Sequence, residues 1–318
     1  MKTSGIGGQA VLEGIMMKNK DKYAVAVRKP DKEIEVCVKD YKGITRGSKI
    51  LNLPFIRGVF NFADSLILGM STLMYSAEFY EDEETAETKK GDEIADSVFK
   101  EKAENVIMIL TVVVAAILAV GLFVVLPSIT SDFLKKKFNI VSYALVSLIE
   151  GIIRVLLFVL YIFLISRMKD IQRTFMYHGA EHKCINCIEH GLELNVDNVL
   201  KSSRLHKRCG TSFLFLVMAI SVLFFILIPV QQPVMKIAVR IIMIPVIAGV
   251  SYEVLRFAGK HEGRLVNIIS APGMALQKMT TREPDKEMAE VAIKAVEAVF
   301  DWKVFLEEND FSDEKEKL

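Results

Sequence analysis

Residues 106–127 read VIMILTVVVAAILAVGLFVVLP, a run without one charged side chain. About 30 Å of hydrocarbon is crossed by about 20 apolar residues in a helix. The run therefore predicts a transmembrane span, and it decides the fold class. Thr211–Pro229, TSFLFLVMAISVLFFILIP, meets the same test. Two further runs are long enough but carry charges. Val141–Ser166 contains Glu150 and Arg154, and Val234–Phe257 contains Lys236, Arg240, Glu253 and Arg256. The expectation is a mainly α, polytopic membrane protein with about four transmembrane helices in a bundle over 106–257.

Composition agrees. Hydrophobic residues make up 52% of the 318, while 25% are charged, so part of the chain faces water. The net charge of +1 gives no reason to expect a nucleic-acid partner, whereas membrane lipids are expected contacts. The four cysteines, Cys37, Cys184, Cys187 and Cys209, do not form a disulfide framework. The opening MKTSGIGGQAVLEGIMM places Glu13 where a signal peptide needs an apolar core, so none is read there.

Lysine and arginine near span ends set orientation. The loop 167–210 carries Arg167, Lys169, Arg173, Lys183, Lys201, Arg204, Lys207 and Arg208, whereas VQQP between the third and fourth spans carries none. The long loop is therefore expected in the cytosol, with both termini. Lys135–Lys137 in the first short loop argue the other way.

Outside the bundle, residues 1–52 are expected to form a β-rich cytosolic segment. YAVAV and EIEVCV alternate within Tyr23–Lys39, with RKPDKE as turn, which is the pattern of a β-hairpin. Leu53–Tyr80 is apolar but holds Arg57, Asn61 and Asp64, as for a helix lying in the interface or packed under the bundle. Residues 81–105 read as an acidic linker. Within the cytosolic segment 258–318, Pro284–Trp302 reads as an amphipathic helix starting at Pro284 and packing on the hairpin. Its apolar positions are Met288, Val291, Ala292, Ala295, Val299 and Trp302.

Three of the five histidines crowd into YHGAEHKCINCIEH at 177–190. Arg167–His190 has helical spacing, and Gly191 is a natural stop. At 100° per residue, His178, His182, Ile185 and Glu189 fall on one stripe with Glu181 at its edge. His178-Gly-Ala-Glu181-His182 matches H-x-x-E-H, in which two imidazoles one turn apart can share a divalent metal, zinc being one candidate. The glutamate between them can act as a base. Gly179 costs about 1 kcal/mol of helix stability relative to Ala, so something is expected to approach the backbone there. The alternative is a surface helix whose histidines face lipid headgroups. Cys187 points away from His178 on this helix, so Cys184 and Cys187 read as reduced structural cysteines, with a zinc or redox pair as the lesser option. His206 and Cys209 precede the third span. His206 or Glu189 is expected to complete a metal set with His178 and His182, with Glu181 catalytic. Cys209 is placed among further polar site residues. The alternative for this segment is lipid anchoring by Lys207 and Arg208.

Ser147, Glu150, Arg154 and Tyr161 share a face of the second span. A charge in the bilayer costs at least about 2.5 kcal/mol. Glu150 and Arg154, one turn apart, are expected to pair. Glu253 and Arg256 lie at the cytosolic end of the fourth span. Together these charges suggest a polar cavity open to the cytosol, or a buried ion pair fixing helix register.

The motifs GGQAVLEGIMM (from Gly7), LPFIRGVFNFADSLILGMSTLMYSAE (Leu53), FMYHGAEHK (Phe175), HKRCGTSFLF (His206), GVSYEVLRF (Gly249) and PGMALQKMTTREPDKEMAEVAIKA (Pro272) resemble the YqhQ-like family of bacterial membrane proteins, whose shared domain has no assigned function. The resemblance implies a metal-dependent protein, with no substrate and no established catalytic residues. Its histidine motif falls on His178, Glu181 and His182, and its Arg-Cys-Gly motif on Arg208, Cys209 and Gly210. Cys184 and Cys187 lie outside it. Gln9 and Glu13, polar in a glycine-rich run, are expected to reach the same site.

The leading functional expectation is a metal-dependent hydrolase-like enzyme at the cytoplasmic face. One alternative is a channel or transporter lined by Glu150, Arg154 and Glu253. Four spans are few for that unless copies associate, so a homo-oligomer stays among the candidate partners. Another is a membrane assembly or scaffold factor that docks through the hairpin and final helix.

Overall fold

The computed structural model describes residues 2–80, 106, 109–230, 232–261, 263–309 and 311. The acidic segment at 81–105 and all of the tail 309–318 except Asn309 and Phe311 lie outside the described residues. The described chain is mainly helical with one amino-terminal sheet, as expected. It divides into two compact units, one within 1–80, 162–217 and 248–318, the other within 81–161 and 218–247.

The first unit is built on a four-stranded antiparallel meander, β1 (Gly7–Val11), β2 (Gly14–Asn19), β3 (Lys22–Arg28) and β4 (Ile34–Asp40). The expected hairpin is β3–β4, and two further strands precede it. The first helix, α1 (Ile56–Ala77), lies over one sheet face, where Leu68 and Tyr75 meet Val11, Met16, Val25 and Val27. The opposite face is covered by α4 (Lys169–Glu189) and α10 (Lys286–Glu297). There Ile15, Met17 and Ala26 pack with Tyr177, Ala180, Ile185, Met288, Val291 and Ala292. Because β2 and β3 are covered on both sides, four consecutive residues of each are buried. Each large apolar side chain so enclosed contributes about 1.5–3 kcal/mol.

The carboxy-terminal helix packs on the sheet as expected, with two corrections. Asp285, not Pro284, opens α10, its carboxylate accepting from the Met288 N–H at 2.8 Å. The helix also ends at Glu297, and α11 (Trp302–Glu308) begins afresh under an Asp301 cap. The sequence reading passed over α9 (Arg264–Thr280), which carries Pro272 inside it.

Among the described residues, three helices are long and apolar enough to cross a membrane: α2 (Ile109–Lys137), α3 (Tyr143–Ile165) and α6 (Gly210–Leu227), the last preceded by the short α5 (Val196–Lys201). A fourth crossing exists if α7 (Pro233–Ile242) and α8 (Ile244–Lys260), bent by 43°, count as one. The fourth run is thus broken at Met243 rather than straight. The first continues past Pro127, where it was expected to end. Gly121–Val125 forms a π turn just before that proline. Pro127 has no N–H for the carbonyl four residues back, that of Phe123. The Arg154 Nε donates to this oxygen instead, at 2.8 Å, so the helix loses a bond without leaving an orphan acceptor.

The expected Glu150–Arg154 pair exists within a larger cluster in the second unit. Glu150, 1% exposed, accepts from Arg154 at 3.0 Å, Lys236 at 3.1 Å and Ser131 at 3.3 Å, and also from Arg240. Asp132 takes Lys236 at 2.7 Å, and Ser221 takes Arg154 at 2.7 Å. Glu253 belongs to the first unit, where Arg57 of α1 holds it at 2.7 Å. It is an ion-pair partner there, not a wall of the path expected with Glu150.

One carboxylate thus sits among three cations. Glu150→Ala leaves Arg154 and Arg240 without a carboxylate and Lys236 with Asp132 alone, at a cost of about 3–5 kcal/mol. Arg154→Met leaves Glu150 two cations and costs less. Thermal unfolding in detergent should show the larger fall in Tm for Glu150→Ala.

Candidate metal centre

The site is built by α4 and by the segment 200–209 laid against it. The helix runs to Glu189, and Gly191 stops it with φ +76°, a backbone shape that favours glycine. Polar side chains on its buried face hold the segment through backbone carbonyls. Lys183 donates to Leu200 at 2.8 Å and Ser202 at 2.7 Å, and Asn186 to Ser203 at 2.6 Å and Leu205 at 3.0 Å. On the next element, fully buried Gln277 of α9 accepts from the His206 N–H at 2.9 Å. It donates to the His206 carbonyl at 2.7 Å and the Ser212 hydroxyl at 2.9 Å. All the polar valences of its amide nitrogen are used, and the chain around His206 is fixed.

This framework brings His178, His182 and Cys209 together, with one ligand atom from each within 4.8 Å of the others. Cys209 Sγ lies 3.3 Å from His178 Nε2. His178 Nδ1 is 2.9 Å from the Thr280 carbonyl, and His182 Nδ1 is 2.7 Å from the Arg204 carbonyl. A carbonyl only accepts, so each Nδ1 carries the proton and each Nε2 is left to ligate, the usual arrangement of metal-bound imidazole. Cys209 directly precedes α6, and the Thr211 N–H lies 3.4 Å from its sulfur. Burial opposes a thiolate here, but His178 and His182 drive the thiol well below the usual cysteine range. Burial likewise opposes charge on His178, yet Cys209 and Glu181 raise its pKa to about 9. Two imidazoles and a thiolate could hold a metal ion.

The other expected site residues divide. Glu181 is buried, with its carboxylate 3.9 Å from His178 Nε2. His206 and Glu189 face each other at 3.4 Å instead of completing the histidine pair. Glu189, with no solvent exposure, also takes Ser4 through its N–H at 2.8 Å and its hydroxyl at 2.7 Å, and Arg208. Burial would raise its pKa, but His206 and Arg208 hold it down to about 2. Gln9 donates to the Gly69 carbonyl at 3.0 Å and lines the cavity over the centre, whereas Glu13 turns away to Arg173 and to Tyr177 at 3.3 Å. Glu13 therefore does not reach the site. Cys184 and Cys187 are packed in the core, and burial raises Cys184 well above the usual range and Cys187 to about 11, so neither is a ready ligand. Arg256 lies near the Arg57–Glu253 pair and only adds positive charge to it.

Residues 53–302 match the family described as protein of unknown function (DUF1385). The chain belongs to this family. It is 31% identical over 309 residues to the uncharacterized protein YqhQ of Bacillus subtilis (strain 168), covering 95% of this chain and 94% of that one. No solved structure matches. The resemblance read from the motifs is thus borne out. The DUF1385 match takes in His178, Glu181, His182 and Cys209, while Gln9 and Ser4 lie before it. Sequence reading put Cys209 outside the metal set, although the Arg-Cys-Gly motif marked it. It missed the supporting Thr280 and Arg204 carbonyls and Gln277, which carry no chemical signature.

Gly179 owes its place in this site to crowding. A Cβ there would lie 2.0 Å from the Arg282 carbonyl oxygen. Gly179→Ala should push α4 off the 280–282 segment, break the Arg282 N–H bond to the Phe175 carbonyl (2.9 Å) and loosen His178 from Thr280. The expected outcome is weaker metal binding by titration, by about tenfold or more for loss of one aligned ligand, with a lower Tm.

Proposed function

We propose that the chain is a metal-dependent, hydrolase-like membrane enzyme with its centre at the cytoplasmic face. The observation that carries this is the pair of imidazoles, each pinned at Nδ1 by a carbonyl, converging with Cys209. A divalent ion such as zinc, when bound, would supply a Lewis acid for a carbonyl or phosphoryl oxygen and acidify water. His178, His182 and Cys209 would hold it, and the carbonyls of Thr280 and Arg204 would keep the rings aimed. Glu181 sits at the edge of this set and would take the proton from attacking water. As the water oxygen bonds to the substrate centre and the old bond breaks, Glu181 would pass that proton to the leaving atom.

Elemental analysis of detergent-purified protein tests this. The wild type should carry one ion per chain. His182→Ala and Cys209→Ser should lose it, while His206→Ala, whose side chain is turned to Glu189, should retain most of it. Glu181→Gln should keep the ion and lose activity. Wild-type protein without ion above background, even after reloading with zinc, manganese or iron, would end this reading. The buried Glu150 cluster beside a broken helix favours, as second reading, a path for a polar solute. Metal-independent flux in liposomes would establish it.

The cytosolic placement rests on the basic loop 167–210. In intact cells, an impermeant maleimide should fail to label Lys201→Cys and should label Gln232→Cys. External labelling at 201 would reverse the orientation.

A further inference from the structure

A cavity of about 600 Å³ lies over the metal centre, within the range of sites that enclose small molecules. Its inner end holds His178, His182, Glu181 and Cys209. Elsewhere its wall is largely apolar, with Phe62, Phe175, Phe213 and Leu255, relieved by the neutral amides of Gln9 and Asn61. Among its exposed lining residues, Leu66 at 58% on α1 and Leu214 at 42% on α6 are large and apolar, whereas Gly7, Ser65 and Gly210 are small. The side of the opening between these two leucines is apolar, which suits lipid better than water. Leu214 lies in a helix apolar enough to cross a membrane, five residues after Cys209, or about 7.5 Å along the axis at about 1.5 Å per residue. The polar end thus sits at the head of the span and the apolar opening deeper along it. On α1, Ile67, Met70, Leu73 and Met74 continue the exposed apolar surface beyond Leu66.

We propose that the substrate is a neutral-headed, long-chain lipid that enters sideways from the bilayer between Leu66 and Leu214, its head reaching the His178–His182–Cys209 centre and its chain lying along Phe62 and Phe213. This rests on the hydrolytic reading of the centre for the reaction, but the lipid cavity itself does not need the ion. A lipid brings its chain to the place where the wall is apolar. Arg208 also lines the cavity but is already paired with Glu189, so the neutral amides of Gln9 and Asn61 on the wall are left to hydrogen-bond an uncharged, glycerol-like head.

The test uses full-length protein in phosphatidylcholine vesicles holding a palmitoyl monoglyceride with a diazirine at the end of its chain. Cross-linked residues are mapped by mass spectrometry, and ion content is measured on the same samples. Phe213 is 6% exposed, so only a chain inside the cavity can label it, whereas Leu223, 61% exposed on the same helix, reports ordinary lipid contact. Both should be labelled in the wild type. Leu66→Glu should lose the Phe213 label and keep the Leu223 label and the ion, and Leu214→Glu should do the same. Label at Leu223 with none at Phe213 overturns the lipid substrate. A Phe213 label that survives both substitutions overturns entry by this mouth. Label at both sites in protein that binds no ion supports the lipid cavity and removes the hydrolytic reading instead.

Discussion

The carboxylate of Glu189 has no access to solvent and must find all its partners inside the protein. It takes two donors from Ser4 and one from Arg208, with His206 beside it. Arg208 and His206 flank the chain that ends in Cys209. A carboxylate at the end of α4 thereby fixes where the cysteine stands relative to histidines on the same helix, two and three turns back. Lys183, Asn186 and His182 add carbonyl contacts along the intervening segment. The candidate centre is thus a consequence of how one helix satisfies its own buried polar groups.

The same requirement shapes the second unit by other means. There the polar groups lie in helices that cannot turn to water, so Glu150 is surrounded by cations and serines, and Arg154 serves both that carboxylate and the carbonyl released by Pro127. In the first unit, backbone carbonyls of a loop do most of the pairing. In the second, where nearly all backbone groups are already used in helices, side chains pair with side chains.

What the sequence disclosed follows from which forces are local. Charge-free runs, the helix ended by Gly191 and the alternating β3–β4 hairpin each depend on residues close in the chain. Strands β1 and β2 escaped notice because β2 is covered on both faces, which erases alternation, and because β1 is rich in glycine. The break at Met243 is announced by Pro245, which has no N–H for the Ile241 carbonyl and opens the next helix, a signal the sequence reading passed over. Helix α9 carries an internal proline and exposed Leu265 and Ile268, which blur its period. At the site, His178 and His182 share a helical phase and could be paired by arithmetic. Cys209 and Glu189 could not be sorted that way, since both are acids near histidines. Only the packing of segment 200–209 decides that one meets the histidines and the other an arginine.

The sheet and its cover come from opposite ends of the chain. Ile15, Met17 and Ala26 are made first, yet Met288, Val291 and Ala292, which enclose them, come only after every hydrophobic helix. At about 5–20 residues per second, a ribosome takes about 10–50 s to bridge that interval. Throughout it that face of the nascent strands lacks the cover of α10, and before α4 is made it has none, while greasy segments are leaving the exit tunnel. The order of synthesis therefore favours a chaperone or the insertion machinery as a temporary lid, and a message cut short before residue 286 would yield a chain with spans to insert and a sheet it can never close.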